Sequence, residues 1–514
     1  MSLTYFIVIV GILIAKSLGF ARDIFFADAF GTTAQSDIYF QIFGVVNLVF
    51  TCIGIAMSTL VIKNLNKEEN LDFECKRRYV SRFITRASLW LLLATAVMYA
   101  CAGGIRLLLL PDIAEDMIPL AMKLIYTMLP SMFFVVIAYI ISGVLQNSRV
   151  FFIPSIVSLP YNVLIISTLI AGDVSIVTVG IVTTIGWLLH IVIQLPSFYK
   201  KGYRLYTAAG RRDGVISGHK GAASLEMAGL FISNMMFQLC FIIDKTSVSG
   251  DEGMIATINY ASNLFVTISS VFVVAMSNVI FPAISKNYEE GEISYVRRLI
   301  QYIITFMFVI FVPYLLVVVL FGNQIISLVY ERGSFTAEST AATSSAFIIY
   351  SFGILGYVAQ ELFNKVMYLA SRYRFTVIWT VSVVAVKMIC DYFLVDIWGA
   401  GGAALTTTLL LTAYAVSIAV SIKSVIGKYF DRALIMNILR VMTAGAAAFA
   451  VYLLFKLILP SLVTGRLTFI LPVLACGIVY IAVLYISGLL KSLVTDVKNV
   501  RVRDTDKPDG SVTG

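Results

Sequence analysis

At 514 residues a soluble chain would divide into about three or four domains, yet 59% of these residues are hydrophobic, against roughly 45–50% in soluble proteins. Charged residues contribute 13%, about half the usual share, and mean hydropathy is +0.92, so a water-facing surface of ordinary polarity is excluded. The net charge of +9 sits in basic stretches between apolar segments, the pattern of membrane-protein loops and not of a nucleic-acid-binding surface.

Apolar segments run near 4–21, 38–62, 87–110, 123–145, 152–171, 174–198, 224–246, 254–283, 299–321, 341–369, 375–396, 400–422, 437–459 and 467–490. Each matches the roughly 20 residues a helix needs to cross about 30 Å of hydrocarbon. The first begins at Leu3 with no basic stretch or cleavage site before Lys16, so it reads as a spanning helix and not a removable leader. The expected class is all-α: a polytopic membrane protein of about 14 transmembrane helices. Alternating ten-residue strands of a membrane barrel are absent from the sequence.

With the N-terminus inside, 28 of the 38 Lys and Arg fall in inner loops and tail, including Lys76, Arg77, Arg78, Arg211, Arg212 and Lys220. Outer loops would hold only Arg106, Lys123, Lys245, Arg332 and Arg466. This asymmetry predicts both termini in the cytoplasm. Six scattered cysteines without a CxxC, and only two histidines, imply neither a disulfide framework nor a metal site. His190 reads as a satisfied core or interface residue. Gly103-Gly104 and Gly399-Gly401-Gly402 lack the context of a nucleotide loop.

An internal repeat recurs at an offset near 220: Ala56-Met57-Ser58-Thr59-Leu60-Val61-Ile62 matches Ala275-Met276-Ser277-Asn278-Val279-Ile280-Phe281, and Ser148-Arg149 matches Ser371-Arg372. Two pseudo-symmetric six-helix lobes follow, 1–220 and 221–430, with two additional helices in 431–490 and a disordered cytoplasmic tail at 491–514. Such bundles point to a transporter with alternating access.

Leu18-Gly19-Phe20-Ala21-Arg22-Asp23, followed by Ala29-Phe30-Gly31 and Asp37, resembles the first-helix signature of the MurJ (MviN) lipid II flippases, members of the multidrug/oligosaccharidyl-lipid/polysaccharide exporter superfamily. Gln194-Leu195-Pro196, Pro282-Ala283-Ile284-Ser285-Lys286 and Tyr330-Glu331-Arg332-Gly333-Ser334-Phe335-Thr336 resemble that family in the same order. The resemblance implies translocation of an undecaprenyl-pyrophosphate-linked cell-wall precursor from inner to outer leaflet of a bacterial plasma membrane. Its implied partners are the polyprenyl-pyrophosphate-linked glycan, the bilayer and cell-wall polymerases.

The chain departs from the family where cavity arginines are usual: Val49-Phe50-Thr51 follows Asn47-Leu48, and Ala261-Ser262-Asn263 stands in the eighth helix. A first-helix arginine is replaced by Lys16, which keeps charge and loses the planar fork. The substrate-binding candidates are Lys16, Arg22, Asp23, Asp37, Asn47 and Asn263. Lys16 and Arg22, about 120° apart on the helix wheel, either contact pyrophosphate or serve the interface, Lys16 by snorkelling and Arg22 by pairing with Asp23 or Asp37.

Ionisable side chains at bilayer depth are functional candidates by default. Glu361 and Lys365 are spaced i, i+4, as a neutralised structural pair or a gate. Lys387 and Asp391 repeat that spacing, and Asp244 precedes Lys245. The resemblance implies a monovalent-cation site from an acid on the seventh helix, an Asn-x3-Asp on the eleventh and a Thr on the twelfth. Asp244, Asp391 and Thr407 fit those places, while Lys387 occupies the Asn position. Lys387 is then either a built-in counter-ion or a simple partner of Asp391. No other cofactor is expected.

A flippase for lipid II leads, with another polyprenyl-linked oligosaccharide as the alternative cargo. An integral membrane glycosyltransferase would need a larger polar loop than the longest here, and a drug exporter an acidic cavity.

Overall fold

The computed structural model describes residues 3–67, 72–172, 174–205, 238–370, 372–465 and 467–493. Residues 224–237, Arg211, Arg212, Lys220, Ser371, Arg466 and the tail from 494, all used in the expectations above, lie outside the described residues. The regular structure of the described residues is all helical, with no strand among them. Among the described residues nine helices are long and apolar enough to cross a membrane, or ten if the pair Ala337–Phe352 and Ile354–Leu369, bent by 46°, counts as one span. The expected count of about 14 is not reached by this measure. Part of the difference is Tyr373–Ile426, a 54-residue helix covering two expected segments and broken at Gly399, and Ile470–Ile486 is too short for the criterion.

Large apolar side chains point outward all along the chain, among them Trp90 at 71%, Leu108 at 74% and Ile486 at 82% exposure. Water would not tolerate so continuous an apolar surface, whereas hydrocarbon does.

The chain divides into two compact units. The first comprises Met1–Ser262, Tyr330–Ala342 and Val377–Ala403. Its helices include α1 (Leu3–Phe30), α2 (Ala34–Gly44), α3 (Thr51–Lys67), α4 (Phe73–Ala100), α5 (Ala102–Leu109), α6 (Ile118–Met128), α7 (Ser131–Asn147), α8 (Phe152–Ser155), α9 (Leu159–Ile170) and α10 (Ile176–Lys200). Between α2 and α3 the chain widens into a π-helical stretch, Val45–Phe50. α10 starts on a Ser175 cap and buries Val179, Thr183, Gly186, Trp187, His190, Ile191, Gln194 and Phe198, one stripe at three- and four-residue spacing. That stripe lies against α6, α7 and α9, and α9 in turn packs on α1.

Two family-like segments, far apart in sequence, meet inside this unit. The Ser334 amide donates to the Asp28 carbonyl at 2.8 Å, and the Tyr260 hydroxyl donates to the Gly31 carbonyl at 3.2 Å. Gly31 and Gly333 have positive φ of 56° and 51°, and a Cβ on Gly31 would lie 2.2 Å from the Ser334 carbonyl oxygen. Both the backbone angle and the close approach demand glycine there.

The second unit comprises Asn263–Val329, Thr343–Thr376 and Ala404–Gly514. Its helices Arg432–Ile458 and Ile470–Ile486 pack on each other around Val441, Ala444, Ala448, Tyr480 and Leu484, and the Tyr480 hydroxyl donates to the Val309 carbonyl at 2.8 Å.

Candidate functional site

In the first unit, α1, α8, α9, α10 and the π-helical stretch surround a pocket of about 300 Å³. Lys16, Arg22 and Asn47 line it together with Tyr139, Tyr161, Asn162, Trp187 and His190. Three of the six expected substrate-binding residues are therefore brought together. The Arg22 guanidinium is held on one edge by Asp23, whose Oδ1 accepts from Nε at 3.1 Å and from Nη2 at 2.7 Å. Its Nη1 donates at longer range to the Tyr161 hydroxyl at 3.3 Å and to Asn162 Oδ1 at 3.4 Å, and the Phe43 ring lies 5.2 Å from the guanidinium carbon. Gly186 lets α10 approach the Tyr161 ring closely enough to fix it. The side chains of Arg22 and Asp23 are 14% and 10% exposed, so this cation is shielded yet reachable from the pocket.

Asp23 thus orients Arg22 and is not itself a wall of the pocket. Asp37 does something the sequence did not suggest: its two carboxylate oxygens accept from the amides of Gly253 and Ala256 at 2.6 and 2.7 Å. It caps the helix Met254–Val279, a role that commits both oxygens. Asn263 is half-buried and belongs to the second unit.

His190 is not the satisfied residue expected. It is buried against Trp187, ring centroids 4.4 Å apart, yet among the described residues its Nε2 has no hydrogen-bond partner, and neither has Trp187 Nε1. By contrast Gln194 in the Gln194-Leu195-Pro196 segment is satisfied, accepting from Ser142 at 2.7 Å and donating to the His190 carbonyl at 2.8 Å.

A second polar centre of the same unit joins Asp244, Lys387 and Asp391, all fully or nearly fully buried. The Lys387 ammonium donates to Asp244 and contacts Asp391 at 2.8 Å, one turn along its own helix. The donor set does not fit a sodium ion: the position between the carboxylates is taken by an ammonium, which supplies positive charge and hydrogens where a cation needs oxygen ligands. Thr407 is buried and belongs to the second unit. Lys245, expected in an outer loop, is instead buried and donates to Asn259 Oδ1 at 2.7 Å. An ammonium with an amide partner is tolerable inside the helical packing, which overrides the loop assignment.

The family described as "Lipid II flippase MurJ" matches residues 26–473. The chain belongs to this family. Among its relatives is a "Probable lipid II flippase MurJ" of Buchnera aphidicola subsp. Baizongia pistaciae, 24% identical over 358 residues that cover 68% of this chain and 69% of the relative. The "Probable lipid II flippase MurJ" of Thermotoga maritima is 24% identical over 412 residues, covering 78% and 80%. A solved "Lipid II flippase MurJ, inward closed conformation" shares the fold at a TM-score of 0.77 and 21% identity, over 94% of this chain and 99% of that one. An inward-facing MATE family transporter of the MOP superfamily shares it more loosely, at a TM-score of 0.63 and 13% identity, over 80% and 95%.

In this family member the expected pair Glu361 and Lys365 lies in the second unit on the helix Ile354–Leu369. Among the described residues it forms no contact ion pair, because the Lys365 ammonium turns to the Ser277 hydroxyl and over the Phe281 ring.

Proposed function

We propose that this chain moves lipid II from the inner to the outer leaflet of a bacterial plasma membrane by alternating access, with Arg22 and Lys16 receiving the pyrophosphate. Family membership over residues 26–473 and the names of the relatives support the cargo. The single observation that carries the site is the state of Arg22. Asp23 anchors its inner edge with short bonds, while the bonds to Tyr161 and Asn162 are long and to neutral acceptors. A phosphate oxygen arriving there exchanges weak neutral acceptors for a charged one, which forms the stronger bond. Lys16, six positions earlier on α1 and lining the same pocket, adds the second positive charge a pyrophosphate needs in a low-dielectric site.

The reading makes the protein a transporter, with both termini in the cytoplasm as the Lys and Arg asymmetry favours. Cell-wall polymerases would draw the product away outside. Lys387 stands in place of a coupling cation, so transport proceeds without sodium. The test is reconstitution in liposomes with fluorescent lipid II and an outer-leaflet quencher. Translocation by the parent protein and none by Arg22→Ala is the expected result. Failure of the parent to move lipid II while moving a different polyprenyl-linked oligosaccharide would reassign the cargo.

A further inference from the structure

We propose that the last turns of the helix Tyr373–Ile426 and the turn after it bind one anionic phospholipid, with Lys423 and Lys428 on its phosphate and Val416, Val420 and Phe430 on an acyl chain. These side chains, with Tyr429, line one pocket of about 560 Å³ that lies wholly within the second unit. Positions 416, 420 and 423 are spaced by four and three, so they form one stripe that runs from apolar to basic along the helix. Val416, Val420 and Phe430 are each more than half exposed, and their apolar surface suits hydrocarbon.

The wall of the pocket is held in place by its own hydrogen bonds. Gly427, at a φ of 79°, turns the chain back, and the Tyr429 hydroxyl donates to the Ala419 carbonyl at 2.6 Å, folding the turn onto the helix it leaves. Gln301 donates to the Tyr429 carbonyl at 2.6 Å, and Arg297 Nε and Nη2 donate to the Ile426 carbonyl at 3.2 and 2.9 Å. Arg297 thereby covers the carbonyl end of the helix, which would otherwise repel an anion. Asp431, the acid nearest in sequence, is engaged as the cap of Leu434. Lys423 and Lys428 are exposed, and among the described residues neither belongs to an ion pair. Two ammoniums above an apolar floor match a phosphate above an acyl chain, with the lysine stems lying along the hydrocarbon. On the orientation proposed above, this turn meets the cytoplasmic leaflet, where basic pockets beside membrane helices take anionic headgroups. The inference does not depend on which glycan lipid is carried.

The experiment is native mass spectrometry of the full chain in detergent, titrated with phosphatidylglycerol or with phosphatidylcholine of the same acyl chains. The parent protein should hold one phosphatidylglycerol about tenfold more tightly than phosphatidylcholine. Lys423→Gln/Lys428→Gln should bring the two lipids to within about twofold of each other, because each ammonium contributes on the order of 1 kcal/mol, about fivefold. Both positions are exposed, so the variant should fold. Lys200→Gln/Lys201→Gln removes two exposed lysines outside the pocket and should leave the preference within about twofold of the parent. Equal binding of the two lipids by the parent overturns the proposal, as does a preference that survives in Lys423→Gln/Lys428→Gln. Equal loss from the Lys200 and Lys201 pair would mean diffuse attraction to a basic face and also overturns it. Undecaprenyl phosphate displacing phosphatidylglycerol from the parent but not from Lys423→Gln/Lys428→Gln would give the pocket to the carrier lipid instead.

Discussion

The ammonium of Lys387 lies against the carboxylate of Asp244, a residue 143 positions earlier in the chain, and neither side chain has any exposed surface. Asp391 closes the other side. Two carboxylates buried together would repel each other, and the lysine between them converts that repulsion into attraction without any external ion.

Removing that lysine should therefore be costly. Lys387→Met removes the cation that lies between two buried carboxylates, and the loss of one partner from a buried pair costs about 3–5 kcal/mol. The expected result is a large drop in the thermal unfolding midpoint in detergent, partly recovered in Lys387→Met/Asp244→Asn. Lys387→Asn should show a midpoint that rises with added sodium, while the parent protein shows none. A sodium-dependent midpoint in the parent would sink the counter-ion role.

Arg22→Ala should abolish lipid II translocation, and because the buried Asp23 then loses its guanidinium partner, transport is compared per folded molecule in the membrane. Arg22→Lys should recover only part of the activity, since its three donors sit on one nitrogen and lack the planar fork that grips Asp23 through Nε and Nη2 while aiming Nη1 the other way. Tyr161→Phe removes a weak neutral acceptor of Arg22 and should change transport less than threefold, about 0.5 kcal/mol. Wild-type rates from Arg22→Ala would end the assignment.

What sequence could show was decided by distance along the chain. The i, i+4 relation of Lys387 and Asp391 and the adjacency of Arg22 and Asp23 were legible because helical geometry fixes them locally. That Asp244 closes the triad was implied only by resemblance, since no periodicity links positions so far apart. Asp37 was read as a cavity acid, and its capping of a helix that begins at Met254 depends on the tertiary approach of two segments. Lys245 followed a charge-counting rule into a loop, and the amide of Asn259 keeps it inside. His190 carried the least signal: an unpaired ring nitrogen is invisible until its neighbours are placed.

Asp37 gives a prediction of the opposite kind, stability without function. Asp37→Ala removes the acceptor for two helix-start amides, at a cost of about 1–2 kcal/mol. Asp37→Asn keeps one acceptor oxygen and should lie between. Transport per folded molecule should match the parent in both. Lost transport at full folded yield would return Asp37 to the cavity.

Asp431 offers a test in pH. It caps the helix Arg432–Ile458, and the Leu434 amide donating to its Oδ1 at 2.8 Å holds the carboxyl below its ordinary value. A carboxyl depressed in the folded state is more readily ionised there than in the unfolded chain. Its contribution to stability is therefore present above the unfolded value, about pH 3.9, and fades as pH falls through the lower folded one. The residue is exposed, so solvent screens the effect and its size is modest. Asp431→Ala should cost about 1 kcal/mol near neutrality from loss of the cap. Asp431→Asn retains an acceptor for the same amide but cannot titrate. The gap between parent and Asp431→Asn should be small and constant at neutral pH and shrink only on acidification below the ordinary carboxylate range. A gap that widened with acid would mean that the neutral carboxyl is the better cap, and the bond to Leu434 would then not be what lowers its pKa.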